Sequence, residues 1–224
     1  MTLVEEVFRF RETCSRRDTL GAHGFRLIVQ RDGNRVRLFT RNGYDWTNRY
    51  PLIVEAAHRI RTKQFVLDGE AVLLGVDEIS DFDGLYSGQH NDEIELYAFD
   101  ILALDGDDLR KLPLHLRKNN LARLLARRAD GIHLAPFEQG EIGPDLFRAA
   151  CDMMLEGLVS KRRDSRYRDG PSRDWIKVKN PKSPAMNRAK DALWKFTFAH
   201  DGDCLNGNAI MLTRFHWPRV VARL

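Results

Sequence analysis

Eleven lysines and arginines crowd the stretch from Lys161 to Lys190 against three aspartates, Asp164, Asp169 and Asp174, a net of +8 where the whole chain carries +4. Cations at that density, with Tyr167 and Trp175 among them, can track a phosphate backbone through counterion release while the rings pack on sugar or base. Arg162, Arg163, Arg166, Arg168 and Arg173 are the candidates for that contact. Inside the stretch, Asp174-Trp175-Ile176-Lys177-Val178-Lys179 spaces two lysines two apart, and a strand would place them on one face. Charge alone also fits a solvated basic face, because a modest excess acts mainly on solubility and association rate.

Five further stretches bring chemistry-bearing side chains together: Gly21-Ala22-His23-Gly24-Phe25-Arg26, Thr40-Arg41-Asn42-Gly43, Asp68-Gly69-Glu70, Leu96-Tyr97-Ala98-Phe99-Asp100 and Glu156-Gly157-Leu158-Val159-Ser160-Lys161. Taken singly, each has a plain reading. Asn42-Gly43 and Asp68-Gly69 are turn-formers, Phe99 sits in an apolar run that would be buried anyway, and Glu156 to Lys161 reads as a helix-to-strand connection.

The elements that must hold these residues follow from periodicity. Phe25 to Gln30 and Arg35 to Thr40 are strand-like runs joined by Asp32-Gly33-Asn34, a hairpin signal. Pro51 to Ile60, Leu114 to Leu125 and Leu146 to Met154 have apolar residues at helical intervals, whereas Phe65 to Leu74 and Ile94 to Leu102 read as buried strands. Asp105-Gly106-Asp107-Asp108 reads as a turn. The pattern is α+β, without regular βαβ alternation or an internal repeat.

A chain of 224 residues, 43% of them hydrophobic, can bury a sizeable core. No apolar run approaches membrane-spanning length, and Glu5, Glu6, Arg9 and Arg11 interrupt the N-terminal apolar residues. The expectation is therefore a cytoplasmic protein without a membrane partner. Cys14, Cys151 and Cys204 are odd in number and far apart, which argues against a disulfide framework or a zinc site and agrees with a reducing compartment.

In their order and at their intervals, from about Gly24 to Pro181, the quoted stretches together resemble the motifs of ATP-dependent DNA ligases, in particular the ligase module of bacterial end-joining enzymes. The resemblance implies an α+β nucleotidyltransferase (ATP-grasp-like) adenylation domain, with antiparallel sheets flanked by helices, over residues 21–182. It leaves residues 1–20 and 183–224 as atypical ends. It implies ATP and Mg2+ as cofactors, and nicked double-stranded DNA, ATP or AMP, and end-joining repair proteins as partners. Arg26 and Arg41 would reach ribose or phosphate, Glu70 a ribose hydroxyl, and Phe99 would stack on adenine. Lys161 would join the nucleotide contacts, Glu156 and Glu70 would help hold the metal, and Lys177 and Lys179 would bind the α-phosphate.

The family attaches AMP to a lysine at the start of a K-x-D-G-x-R motif, and here Gly21 and His23 stand where the lysine and the aspartate belong. The first lysine of the chain is Lys63. Arg11, Arg16, Arg17 and Arg26 cannot replace it, since a guanidinium stays protonated. His23 has a suitable pKa range but is shorter and two positions away. Self-adenylation is therefore expected to be impaired. The 44 residues from 181 to 224 fall below the roughly 50 of a small domain, so the family's second domain, an OB-fold, is not expected complete. Abrupt mismatches at both ends suggest a decayed or frame-disrupted copy with an intact middle. Two other functions stay open: an RNA ligase or capping-type nucleotidyltransferase, and a non-catalytic nucleotide- or DNA-binding accessory.

Overall fold

The computed structural model describes residues 2–6, 24–75, 80–127, 130–139, 143–152, 157–168 and 172–182. Its first long strands are β2 (Phe25–Asp32) and β3 (Arg35–Thr40), with β1 (Thr2–Glu6) preceding them in another sheet. Leu27, Val29, Val36 and Leu38 alternate inward, and Gly33 turns the chain at φ 59°, a left-handed conformation that costs glycine little. α1 (Pro51–Arg59) begins on a proline whose missing N–H would be unpaired there anyway, and it buries Ile53, Ala56 and Ala57. β4 (Gln64–Val72) and β5 (Glu95–Leu104) bury apolar residues on both faces because both faces are covered.

These strands form a sheet of order β3-β2-β4-β5-β6, in which β6 (Asp107–Asp108) folds back on β5 and β7 (Ile132–Leu134) pairs β5 in parallel. The expected turn at Asp105-Gly106 is there, with φ 50° and 88°, and its last two residues already pair. α1 and α3 (Leu114–Leu124) pack on one face, where Leu27, Phe65, Leu67, Ala98 and Ile101 meet Ile53, Ala56 and Leu121. The opposite face carries a smaller cluster of Ile28, Phe39, Val66, Leu102 and Tyr167. α2 (Phe82–Ser87) starts on Asp81, whose side chain accepts from the Gly84 N–H.

The second sheet has the order β10-β9-β1-β8, from β8 (Phe137–Gln139), β9 (Gly157–Arg162) and β10 (Trp175–Lys179) around the N-terminal strand. Pairing of Thr2–Glu6 between β8 and β9 is a feature the sequence patterns did not anticipate. The helix expected at 146–154 begins earlier, as α4 (Gly143–Asp152), and packs Leu146 and Phe147 on Leu158. The Glu156 to Lys161 stretch is a strand from Gly157 onward rather than a connection. Among the described residues no helix is long and apolar enough to cross a membrane.

Gly157 shows how closely β9 and β10 approach. Its φ is 150°, and a Cβ there would lie 2.0 Å from the Val178 carbonyl oxygen. Gly157→Ala should therefore destabilise the protein by about 2 kcal/mol or more, read from urea unfolding. A loss below about 0.5 kcal/mol would show that the strands separate freely at this point.

Candidate functional site

Directly opposed residues of adjacent strands share a face, and the register of the larger sheet lines up one row of polar side chains. Arg26 of β2 opposes Glu70 of β4, Glu70 opposes Tyr97 of β5, and Tyr97 opposes His133 of β7. One step along the same face, Asp68 is wholly buried and receives Arg26 in two parallel bonds, Nε to Oδ1 at 2.8 Å and Nη2 to Oδ2 at 2.5 Å. Such fork-on-carboxylate pairing fixes the plane of the guanidinium. A quarter of the Arg26 side chain remains exposed. Burial by itself would lower the pKa of Arg26, but the charge of Asp68 and its hydrogen bonds, with Tyr167 and Glu70 behind them, raise it overall. Arg26 is thus a permanent cation held in place at the sheet surface.

The register of β4 on β5 shifts between Asp68 and Gly69: Asp68 opposes Asp100 while Gly69 opposes Ala98, so Phe99 is the extra residue of a bulge. Bulges re-aim side chains, and here the Phe99 ring meets the second sheet. Lys161 of β9, 2% exposed, sets its Nζ 4.5 Å from the Phe99 centroid and 4.1 Å from that of Trp175. Arg26 approaches the same Phe99 ring at 5.6 Å. Two faces of two sheets thereby meet over one aromatic ring and two cations. Gly24 stands at the rim, where a Cβ would come within 2.5 Å of Glu70 Cγ and 2.6 Å of the Ala71 carbonyl oxygen.

Of the residues singled out from the sequence, Arg26, Glu70, Phe99 and Lys161 are brought together. Lys177 and Lys179 follow Trp175 along β10 at two-residue intervals, so they share the face of Lys161, and both are exposed. Pairing of β2 with β3 ends at Leu27 opposite Thr40, leaving exposed Arg41 one residue further on, towards Arg26. Gly21, His23 and Glu156 lie outside the described residues. Arg162, Arg166, Arg168 and Arg173 are exposed. Arg163 departs from that set: it is half-buried with a buried Nε, and its carbonyl accepts the His115 N–H at 3.1 Å. Tyr167 departs too, since it is 8% exposed in the smaller core rather than laid open to a base.

Three functional side chains escaped the sequence reading. Asp68 stands in the Asp68-Gly69-Glu70 stretch without a role of its own there, although an acid within the apolar run 65–73 is itself a signal. Asp100 and Arg117 form a wholly buried pair, Nε to Oδ1 at 2.8 Å and Nη2 to Oδ2 at 3.0 Å, and their separation in sequence hides it. For a metal, the described residues include no group of three or more His, Cys, Asp or Glu. Asp68 is taken up by Arg26 and Tyr167. Magnesium is normally held by one or two carboxylates together with substrate phosphates. Of the two carboxylates expected at the metal, Glu70 is among the described residues and Glu156 is not.

Residues 19–179 match the family model described as ATP dependent DNA ligase domain. The multifunctional non-homologous end joining protein LigD of Pseudomonas aeruginosa is 36% identical over 159 residues, 70% of this chain and 19% of that protein. A probable DNA ligase of Streptomyces coelicolor is 33% identical over 172 residues, 70% of this chain and 33% of that protein. Among solved structures, a mycobacterial DNA ligase D complexed with ATP and MES superimposes with a TM-score of 0.65 at 30% identity, over 80% of this chain and 54% of that one. The chain thus spans about a fifth of the length of the LigD proteins it matches.

Proposed function

Because this chain belongs to the ATP-dependent DNA ligase family and carries its adenylation domain, we propose that it binds ATP or AMP in a cleft at the junction of its two sheets and nicked duplex DNA on its basic surface, and that it does not adenylate itself. The observation that carries the reading is the junction of Lys161, Phe99 and Arg26, where both sheets meet. A fixed guanidinium beside an aromatic ring suits a phosphorylated nucleotide: Arg26 and Arg41 for phosphate or ribose, Glu70 for a ribose hydroxyl, Phe99 for the base. Lys177 and Lys179, on the same face of the second sheet as Lys161, would neutralise the α-phosphate. Magnesium, when bound with the nucleotide, would offset charge on the phosphates. The exposed Arg162, Arg166, Arg168 and Arg173 supply the phosphate-backbone contacts.

The nucleophile is what Gly21 withholds. Lys63, the first lysine, lies just outside the far end of β2, beside the hairpin, where its carbonyl accepts the Gly33 N–H at 2.8 Å. At about 3.3 Å per residue that is on the order of 20 Å from Arg26. Lys161 stands at the junction with its Nζ against the Phe99 and Trp175 rings, and it lies in the strand that resembles the family's later motif, not in the one that carries the nucleophile. DNA already bearing a 5′-adenylate brings its own nucleophile: its 3′-hydroxyl attacks the 5′-phosphate, the phosphodiester forms and AMP leaves. The protein therefore keeps nucleotide binding and the sealing of pre-adenylated nicks, and loses the first step.

Calorimetric titration with ATP tests the site. The wild-type protein is expected to bind, and Phe99→Ala to bind about tenfold more weakly through loss of the stacking surface. Equal binding by the variant would take the base away from Phe99, and no binding by the wild type would move the function to the basic surface alone. In that case DNA affinity should fall steeply with salt and ignore ATP.

A further inference from the structure

Tyr167 belongs to the basic stretch yet takes no part in the contacts assigned to that stretch. Its ring is buried among Ile28, Phe39, Val66 and Leu102, and its backbone N–H donates to the Arg110 carbonyl at 2.9 Å. Its hydroxyl donates to Asp68 Oδ2 at 3.0 Å, and Arg26 Nη2 lies 3.4 Å from the same hydroxyl. Below the ring, the Arg117 guanidinium stands 5.9 Å from its centroid and donates to the Ser165 carbonyl at 3.1 Å. Residues 163–168 run on from β9. The Tyr167 hydroxyl is therefore one tie between the strand bearing Lys161 and the sheet bearing Arg26, and the one that ends on the Arg26 partner Asp68.

An arginine held in its bound orientation before the ligand arrives gives up less rotamer freedom on binding. The two bonds from Asp68 fix Arg26 only as well as the carboxylate is itself fixed, and a terminal carboxylate torsion is broad and roughly two-fold. A hydroxyl donated to Oδ2 in a buried, low-dielectric setting closes that freedom. We infer that Tyr167 is a positioning residue of the nucleotide site, whose buried hydroxyl locks Asp68 and, through it, the Arg26 guanidinium that faces the cleft. The inference rests on the assignment of the cleft to ATP.

The test is Tyr167→Phe, which removes one oxygen and keeps the ring, with two readouts beside a backbone amide spectrum that reports folding. The first is solvent exchange of the Arg26 Nε–H, its resonance assigned by disappearance in Arg26→Lys. The second is ATP affinity. Exchange about tenfold faster together with ATP binding about five- to tenfold weaker, on an unchanged backbone spectrum, is the expected result. Weaker binding with unaltered Arg26 exchange overturns positioning, and faster exchange with unaltered affinity overturns its bearing on the ligand. Loss of the folded spectrum overturns it as well, since the hydroxyl would then hold the fold rather than one side chain. A wild-type protein that fails to bind ATP removes the assignment of the cleft itself, which distinguishes that failure from the others.

Discussion

Incubated with α-labelled ATP and magnesium, the purified protein is expected to carry no label through a denaturing gel. Adenylyl transfer to an enzyme requires a nitrogen that can lose its proton and attack the α-phosphate, and Gly21 has no side chain with which to do so. Removing a nucleophile ordinarily costs at least about four orders of magnitude in turnover, which puts labelling below detection while ATP binding persists. The companion result is at the nick. A 5′-adenylated nick should be sealed, and a 5′-phosphorylated nick supplied with ATP should not. The double replacement Gly21→Lys with His23→Asp, which recreates the family's first motif, should bring labelling above background. A labelled wild-type band that Lys177→Ala abolishes would sink the idea and send the search to another nucleophile.

The second large effect concerns stability. Asp100 and Arg117 are both wholly buried, and besides its two bonds to Asp100 the Arg117 guanidinium donates to the carbonyls of Leu112 at 2.5 Å and Ser165 at 3.1 Å. One arginine thus joins β5, the turn before α3 and the loop that carries Tyr167. Asp100→Ala leaves that cation buried without its carboxylate, and breaking a buried pair in this way costs about 3–5 kcal/mol. Replacing both partners by apolar residues, Asp100→Leu with Arg117→Met, should lose clearly less than the two single changes summed, because no buried charge is orphaned. Urea unfolding of the wild type, Asp100→Leu, Arg117→Met and the double variant measures the coupling, with Asp100→Ala as a fifth protein. A single-variant loss below about 1 kcal/mol would mean that water reaches the site and screens it.

The two predictions meet at the junction of the sheets. Asp100 opposes Asp68, and Arg117 lies over the Tyr167 ring whose hydroxyl reaches Asp68, so stability and the proposed ligand geometry share residues. Variants in this network should be compared at equal folded fraction before any change in binding is ascribed to the site.

Much of the framework was legible in the amino-acid order. The hairpin of β2 and β3, the helices α1 and α3 and the strands β4 and β5 fall within a few residues of where periodicity put them, because alternation and helical spacing record which side of an element meets the core. The order of motifs likewise named the family that the comparisons bear out. What the sequence could not show was decided by pairing at a distance. Arg26 and Asp68 are 42 residues apart, and Tyr167 and Asp68 are 99 apart; neither pair leaves a local pattern. The bulge that turns Phe99 towards Lys161 is a register shift between two strands, invisible in either strand alone. Tyr167 reads as a ring of a binding surface until packing withdraws it into the smaller core, and Arg163 of the same stretch is half-buried. Composition and spacing state what a side chain can do; burial and long-range hydrogen bonding, settled only when distant strands meet, decide which of those things it is left to do.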